Sequence, residues 1–179
     1  MPTLAVPTRD QVSAPNQALF DRLQQGVGCV PNMYAFFAHS DPALGDYLAL
    51  QNRNSSLRGK EREVINLVVS QLNECDYCLA AHTQMGQANG LTDTQVLEVR
   101  GGSATFDPKL DALARLVHAT VASHGHSNAD AIAAFFAAGY TAENLVDVVL
   151  VIGDKTITNY LHGIARVPVD FPAAPELLA

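Results

Sequence analysis

The stretch from Lys60 to Leu72 sets the tightest limit on how this chain can fold. Its apolar residues Val64, Ile65, Leu67, Val68, Val69 and Leu72 make a stripe too wide for a surface helix. A helix built from them must be enclosed by other helices, and the rest of the sequence supplies these, because no convincing run alternates with the period of two that marks a strand. Pro15 opens a helix to about Gln25, ended by Gly26 and Gly28, and Pro31-Asn32 starts a short turn through Met33 to Ala38. Ser40 and Asp41 before Pro42 read as a cap and first turn, for a helix carrying Leu44, Tyr47, Leu48 and Leu50 to about Asn54. Gly59 precedes the apolar helix, residues 73–76 form a joint, and a helix from Cys78 to Asn89 is capped by Gly90. Thr92 to Gln95 is a capping box for a short helix ending at Gly101-Gly102. Asp107-Pro108 begins a helix to about Ser123, Ser127 with Asp130 opens another to Ala138, and Thr141 starts the last, through Asn144 to about Ala165.

Eight or nine helices therefore form one all-α domain over residues 15–167, between an N-terminal arm at 1–14 and a Pro-rich tail at 168–179. A shift of 81 residues lays Val64, Ile65, Leu67, Val68 and Val69 on Leu145, Val146, Val148, Val149 and Leu150. This reads either as an internal repeat or as two buried helices that share a period.

With 48% apolar and 16% charged residues in 179, the chain can build a real core and is neither disordered nor a coiled coil. Lys and Arg number 11 against 18 Asp and Glu, a net charge of −7, the wrong sign for binding phosphates or an acidic membrane surface. The most apolar stretch, Ala131 to Tyr140, is about half the roughly 20 residues needed to span a bilayer. The N-terminus lacks the basic and apolar regions of a secretion signal, so the expected location is cytoplasmic.

Three cysteines are too few, and odd in number, for a disulfide framework. Cys75 and Cys78 nevertheless stand three apart, a spacing that random placement gives only about 3 times in 100. Cys75, Cys78 and His82 fall on one face of a helix. Cys75 lies at the joint, where unpaired N–H groups and the helix dipole favour a thiolate. His82 is one turn beyond Cys78 and can accept its proton. Glu63 lies on the preceding apolar helix, and a helical hairpin about residues 73–76 would face it toward His82 in a Glu–His–Cys relay. A thiolate with a second thiol nearby can be oxidised by a peroxide and resolved as a disulfide. Two other readings use the same residues: a zinc- or ligand-binding helical module, with Cys75, Cys78, His82 and Glu63 as the zinc ligands, and inert buried thiols in a non-catalytic oligomeric scaffold or regulator.

Glu63, Cys75, Cys78 and His82 reproduce the pattern E-x11-C-x2-C-x3-H, which resembles the alkylhydroperoxidase D-like members of the carboxymuconolactone decarboxylase superfamily. The run Gly28-Cys29-Val30-Pro31-Asn32 and the helical layout are similar to its longer, peroxidase-related branch. The resemblance implies an all-α helical bundle, homo-oligomeric assembly as a dimer, trimer or hexamer, and thiol-dependent reduction of hydroperoxides without haem or metal. It makes Cys78 the peroxidatic thiol, although position alone favoured Cys75. Cys75 becomes the resolving thiol, exposed to an external dithiol, either a reductant protein or a lipoyl-type carrier. Glu63 and His82 become the proton relay. Some members carry a further His where Tyr77 stands, and a phenol is no base at neutral pH.

The remaining candidates read as structure. Cys29 has no Cys or His at a useful spacing, Ser40 is a cap, and His39 is a surface residue. His124 and His126 flank Gly125 in an exposed loop, while His118 and His162 pack within helices. Tyr34, Phe36 and Phe37 pack in the core, with a substrate pocket as the other use of their rings. Asp147 and Asp154 are candidates for buried ion pairs or subunit contacts, with Lys155 and Arg166 as nearby donors.

Overall fold

Val64, Ile65, Leu67, Val68 and Val69 have no exposed surface in the computed structural model, which describes residues 4–126 and 129–177. They lie on α4 (Gly59–Leu72), which packs against α5 (Asp76–Ala88), α6 (Asp93–Arg100), α7 (Pro108–Ala122) and α9 (Ala142–Ala165). Enclosure of this kind contributes roughly 1.5–3 kcal/mol per side chain, which makes α4 the axis of the fold. Around it, α8 (Ala129–Ala137) covers α7, and α1 (Ala14–Val27) and α2 (Asn32–Phe37) pack on α3 (Ala43–Gln51). Among the described residues these are nine α-helices and no strand, the all-α bundle expected. None of these helices is long and apolar enough to cross a membrane.

The polar residues that start the helices act through identifiable bonds. The Thr92 hydroxyl accepts from the Gln95 N–H at 3.3 Å, and the Gln95 side chain accepts from the Thr92 N–H at 3.0 Å, the capping box read from the sequence. Asp107 accepts from the Lys109 and Leu110 N–H groups at 2.9 and 3.2 Å, and Thr141 caps α9 through the Asn144 N–H. Gly28 ends α1 at φ +85°, where a Cβ would be strained; Gly26 stays inside the helix. A 3-10 turn, Arg9–Gln11, interrupts the N-terminal arm. Ser127, expected to cap α8, lies outside the described residues.

Several expectations need correction. Pro42 is itself the N-cap of α3, and Ser40 contributes its carbonyl, which accepts from the Ala43 N–H at 3.2 Å, while its hydroxyl makes no cap. Helix α3 ends at Gln51, short of Asn54, because residues 53–56 turn toward α9. There Arg53 donates to Asp147 at 2.8 Å, and the Ser56 N–H and hydroxyl donate to its other oxygen at 2.6 and 2.7 Å. Asp147 is thus paired by Arg53, and neither Lys155 nor Arg166 is its partner. The internal repeat also fails. Val146, Val149 and Leu150 are 61%, 55% and 39% exposed where their counterparts on α4 are enclosed, and α9 runs unbroken past the position of the joint.

A second apolar cluster holds the chemistry in place. Met33 and Phe36 of α2, Tyr77 of α5, and Ala165 and Val167 at the end of α9 pack around Cys75 and Cys78. The tail crosses this corner: Asp170 accepts from the Asn32 N–H at 2.7 Å, and buried Arg100 donates to the Pro175 carbonyl at 2.6 Å.

Candidate active site

The joint between α4 and α5 is three residues long. Glu74 sits there at φ +51°, and the Cys75 N–H donates to the Ser70 carbonyl at 3.0 Å, which folds α5 back along α4. The resulting hairpin brings Glu63 to His82, as the spacing predicted. The His82 Nδ1 lies 2.7 Å from the Glu63 Oε2, and Asn66 donates to the other carboxylate oxygen at 3.2 Å. Both residues are buried, at 8% and 6% exposure. Burial pushes the Glu63 carboxyl up, but the charge and hydrogen bond of His82, with help from Lys155, outweigh it and hold the group below its ordinary value. An ionised carboxylate only accepts, so the His82 Nδ1–H is the donor and Nε2 is the ring nitrogen free of Glu63.

Cys75 is the N-cap of α5, its sulfur accepting from the Cys78 N–H at 3.4 Å. The helix dipole favours a thiolate at Cys75, yet the surroundings of the two sulfurs favour one at Cys78. A hydrogen bond from the Cys75 thiol, then the charges of Lys155 and His82 and the Thr158 hydroxyl, overcome burial and pull Cys78 down to about 5. Cys75 is driven the opposite way by the same hydrogen bond and by burial, so it keeps the proton the two share. One N–H at a helix start is outweighed by what surrounds the other sulfur, the Cys75 thiol first and then Lys155 and His82. When protonated, Cys78 donates to the Thr158 hydroxyl at 3.6 Å, and that hydroxyl donates to the Lys155 carbonyl at 2.9 Å.

Cys78, His82, Lys155 and Thr158 line one cavity of about 120 Å³, whose other walls include Tyr34, Tyr47 and Met85. Tyr34 thus has the pocket role, whereas Phe37 stacks on Tyr47 at 4.4 Å and Phe36 stays in the apolar cluster. Cys75 does not line the cavity and is 2% exposed, so the expected exposure to an external reductant is overturned. Tyr77 accepts from the Met33 N–H at 3.2 Å and packs edge-on against Phe171; burial raises its phenol, which leaves it a structural wall. A larger groove of about 620 Å³ follows Gln71, Arg100 and the tail but touches none of Glu63, Cys78 and His82.

No three His, Cys, Asp or Glu side chains among the described residues are arranged to hold a metal, so the zinc reading has no ligand set. Cys29 is exposed and does not pack as a structural thiol. His124 and His126 are exposed, His39 meets the Ala5 carbonyl at 2.9 Å, and His162 is buried against Tyr77, all outside the Glu63–His82 pair. Lys155 and Thr158 line the cavity and are the site residues that sequence reasoning missed. Their signal was present: Asp154, Lys155, Thr158, Asn159 and His162 form a polar stripe at helical spacing in an otherwise apolar helix.

Residues 41–119, which include all four motif positions, match the carboxymuconolactone decarboxylase family. No curated protein matches the chain. A peroxidase-related protein from Silicibacter sp. TM1040 superposes with a TM-score of 0.82 at 22% identity, over 93% of this chain and 90% of that one. An alkylhydroperoxidase AhpD core protein, also peroxidase-related, from Ralstonia eutropha JMP134 gives 0.82 at 21% identity, over 94% and 92%. The debrominase Bmp8, in complex with 2,3,4-tribromopyrrole, gives 0.76 at 13% identity, over 95% and 93%. At these identities the superpositions show a shared fold.

Proposed function

We propose thiol-dependent reduction of hydroperoxides for this chain, which belongs through residues 41–119 to the carboxymuconolactone decarboxylase family and has its alkylhydroperoxidase D-like helical fold. The observation that carries this reading is one cavity holding the Cys78 sulfur and His82, with Glu63 bonded behind His82 and Cys75 behind Cys78. The Cys78 thiolate attacks the terminal oxygen of the hydroperoxide; the S–O bond forms and the O–O bond breaks. The electron pair leaves on the alkoxide, which takes a proton from protonated His82 while Glu63 holds the ring. Cys78 is then a sulfenic acid, and the Cys75 thiol displaces water from it to form the disulfide. An external dithiol restores both thiols, attacking at Cys78, the sulfur the cavity reaches. No cofactor or metal takes part in this cycle.

Cys78→Ser is expected to abolish consumption of an organic hydroperoxide in the presence of a dithiol. Full activity in that variant sinks the assignment.

We also propose that the chain assembles with a second copy through α9. Val146, Leu150, Gly153, Ile157, Tyr160 and Ile164 repeat at alternating four- and three-residue steps along one exposed face. A twofold antiparallel pairing about Gly153, which has open space above it, sets Val146 opposite Tyr160 and Val149 opposite Ile157.

A further inference from the structure

Lys155 is 3% exposed, yet among the described residues its ammonium belongs to no ion pair and no side-chain hydrogen bond. A buried ammonium is costly unless negative charge faces it, and the Glu63 carboxylate that feels it is bonded to His82 instead. No carboxylate of the described residues lines the cavity that Lys155 enters. Glu63 holds His82 and Asn66, Asp147 holds Arg53 and Ser56, and Asp170 caps α2; buried Asp154 keeps one oxygen without a hydrogen-bond partner but, like the other three, does not line the cavity. Tyr34, Tyr47 and Tyr77 bring no charge, since burial pushes all three phenols up, and burial keeps His162 on the neutral side. Cys75 holds its proton. What remains in the cavity with Lys155 is the Cys78 sulfur.

We propose that Lys155 is the fixed cation of this cavity: it holds Cys78 as a thiolate at rest and faces the negative charge as that passes to the departing oxygen. The first half stands on the cavity alone, and the second rests on the peroxidase reading. In that reaction Lys155 exchanges no proton. Charge moves from sulfur to the alkoxide as the O–O bond breaks, His82 delivers the proton, and the ammonium stays in place throughout.

The test alkylates Cys78 with neutral iodoacetamide and anionic iodoacetate across pH, with peptide mapping and exposed Cys29 as the reference thiol in the same molecule. Lys155→Met is expected to raise the pH midpoint of Cys78 alkylation by about one unit or more and to cut its iodoacetate-to-iodoacetamide rate ratio about tenfold. Lys155→Arg is expected to restore both. An unchanged midpoint and ratio in folded Lys155→Met overturns the proposal. If that variant does not fold, the wild type decides: the ratio at Cys78 must exceed that at Cys29 several-fold, and an equal or lower ratio overturns the proposal. No peroxide is involved, so a protein that passes this test without consuming hydroperoxide removes the peroxidase reading and leaves the thiolate role of Lys155 intact.

Discussion

Removing the Cys75 thiol tests how the two sulfurs divide one proton. In Cys75→Ala the Cys78 thiolate loses the hydrogen bond that contributes most to lowering it, while Lys155, His82 and Thr158 remain. A hydrogen bond to a charged group is worth about 1.5–3 kcal/mol, and one pKa unit is about 1.4 kcal/mol. The Cys78 midpoint should therefore climb from about 5 by roughly one to two units. The reactive species is the deprotonated one, so alkylation rises with pH through the midpoint and levels off above it. At pH 6 the thiolate fraction should fall from about nine-tenths to between about one-tenth and one-half. The assay is the iodoacetamide rate at Cys78 between about pH 4 and pH 9, read by peptide mapping, with Cys29 as reference. Loss of the weak sulfur cap, which accepts only the Cys78 N–H, should cost the helix about 1 kcal/mol or less and leave the fold intact. A midpoint that stays put or moves down in Cys75→Ala refutes the shared-proton account.

Glu63→Gln removes the carboxylate that holds His82 at 2.7 Å; peroxide turnover should fall about 10- to 100-fold with both thiols still titratable, and an unchanged rate takes Glu63 out of the relay. Val149→Glu puts a charge in the exposed face of α9, so light scattering should report a shift toward the 19.1 kDa monomer; an unaltered assembly places the interface elsewhere.

The helices were legible because their signals are local. The breadth of the apolar stripe on α4, the capping box at Thr92, the helix start at Thr141, and the spacing of Glu63, Cys75, Cys78 and His82 each depend on neighbours within a few turns. What escaped depends on how helices meet. Lys155 and Thr158 reach the site only because α9 lies across α5, and Arg53 reaches Asp147 only because the chain after α3 folds onto α9. The exposure expected for Cys75 failed for a similar reason, since α2 and the segment after α9 close over it from both ends of the sequence. The supposed repeat shares a period with α4 but not its surroundings: the face of α9 in question lies outside this chain's own core.

The redox pair is tested most directly by non-reducing intact mass before and after one equivalent of an organic hydroperoxide, followed by peptide mapping. Formation of a Cys75–Cys78 disulfide predicts a loss of about 2 Da mapped to that pair. An unchanged mass with both thiols still free contradicts it.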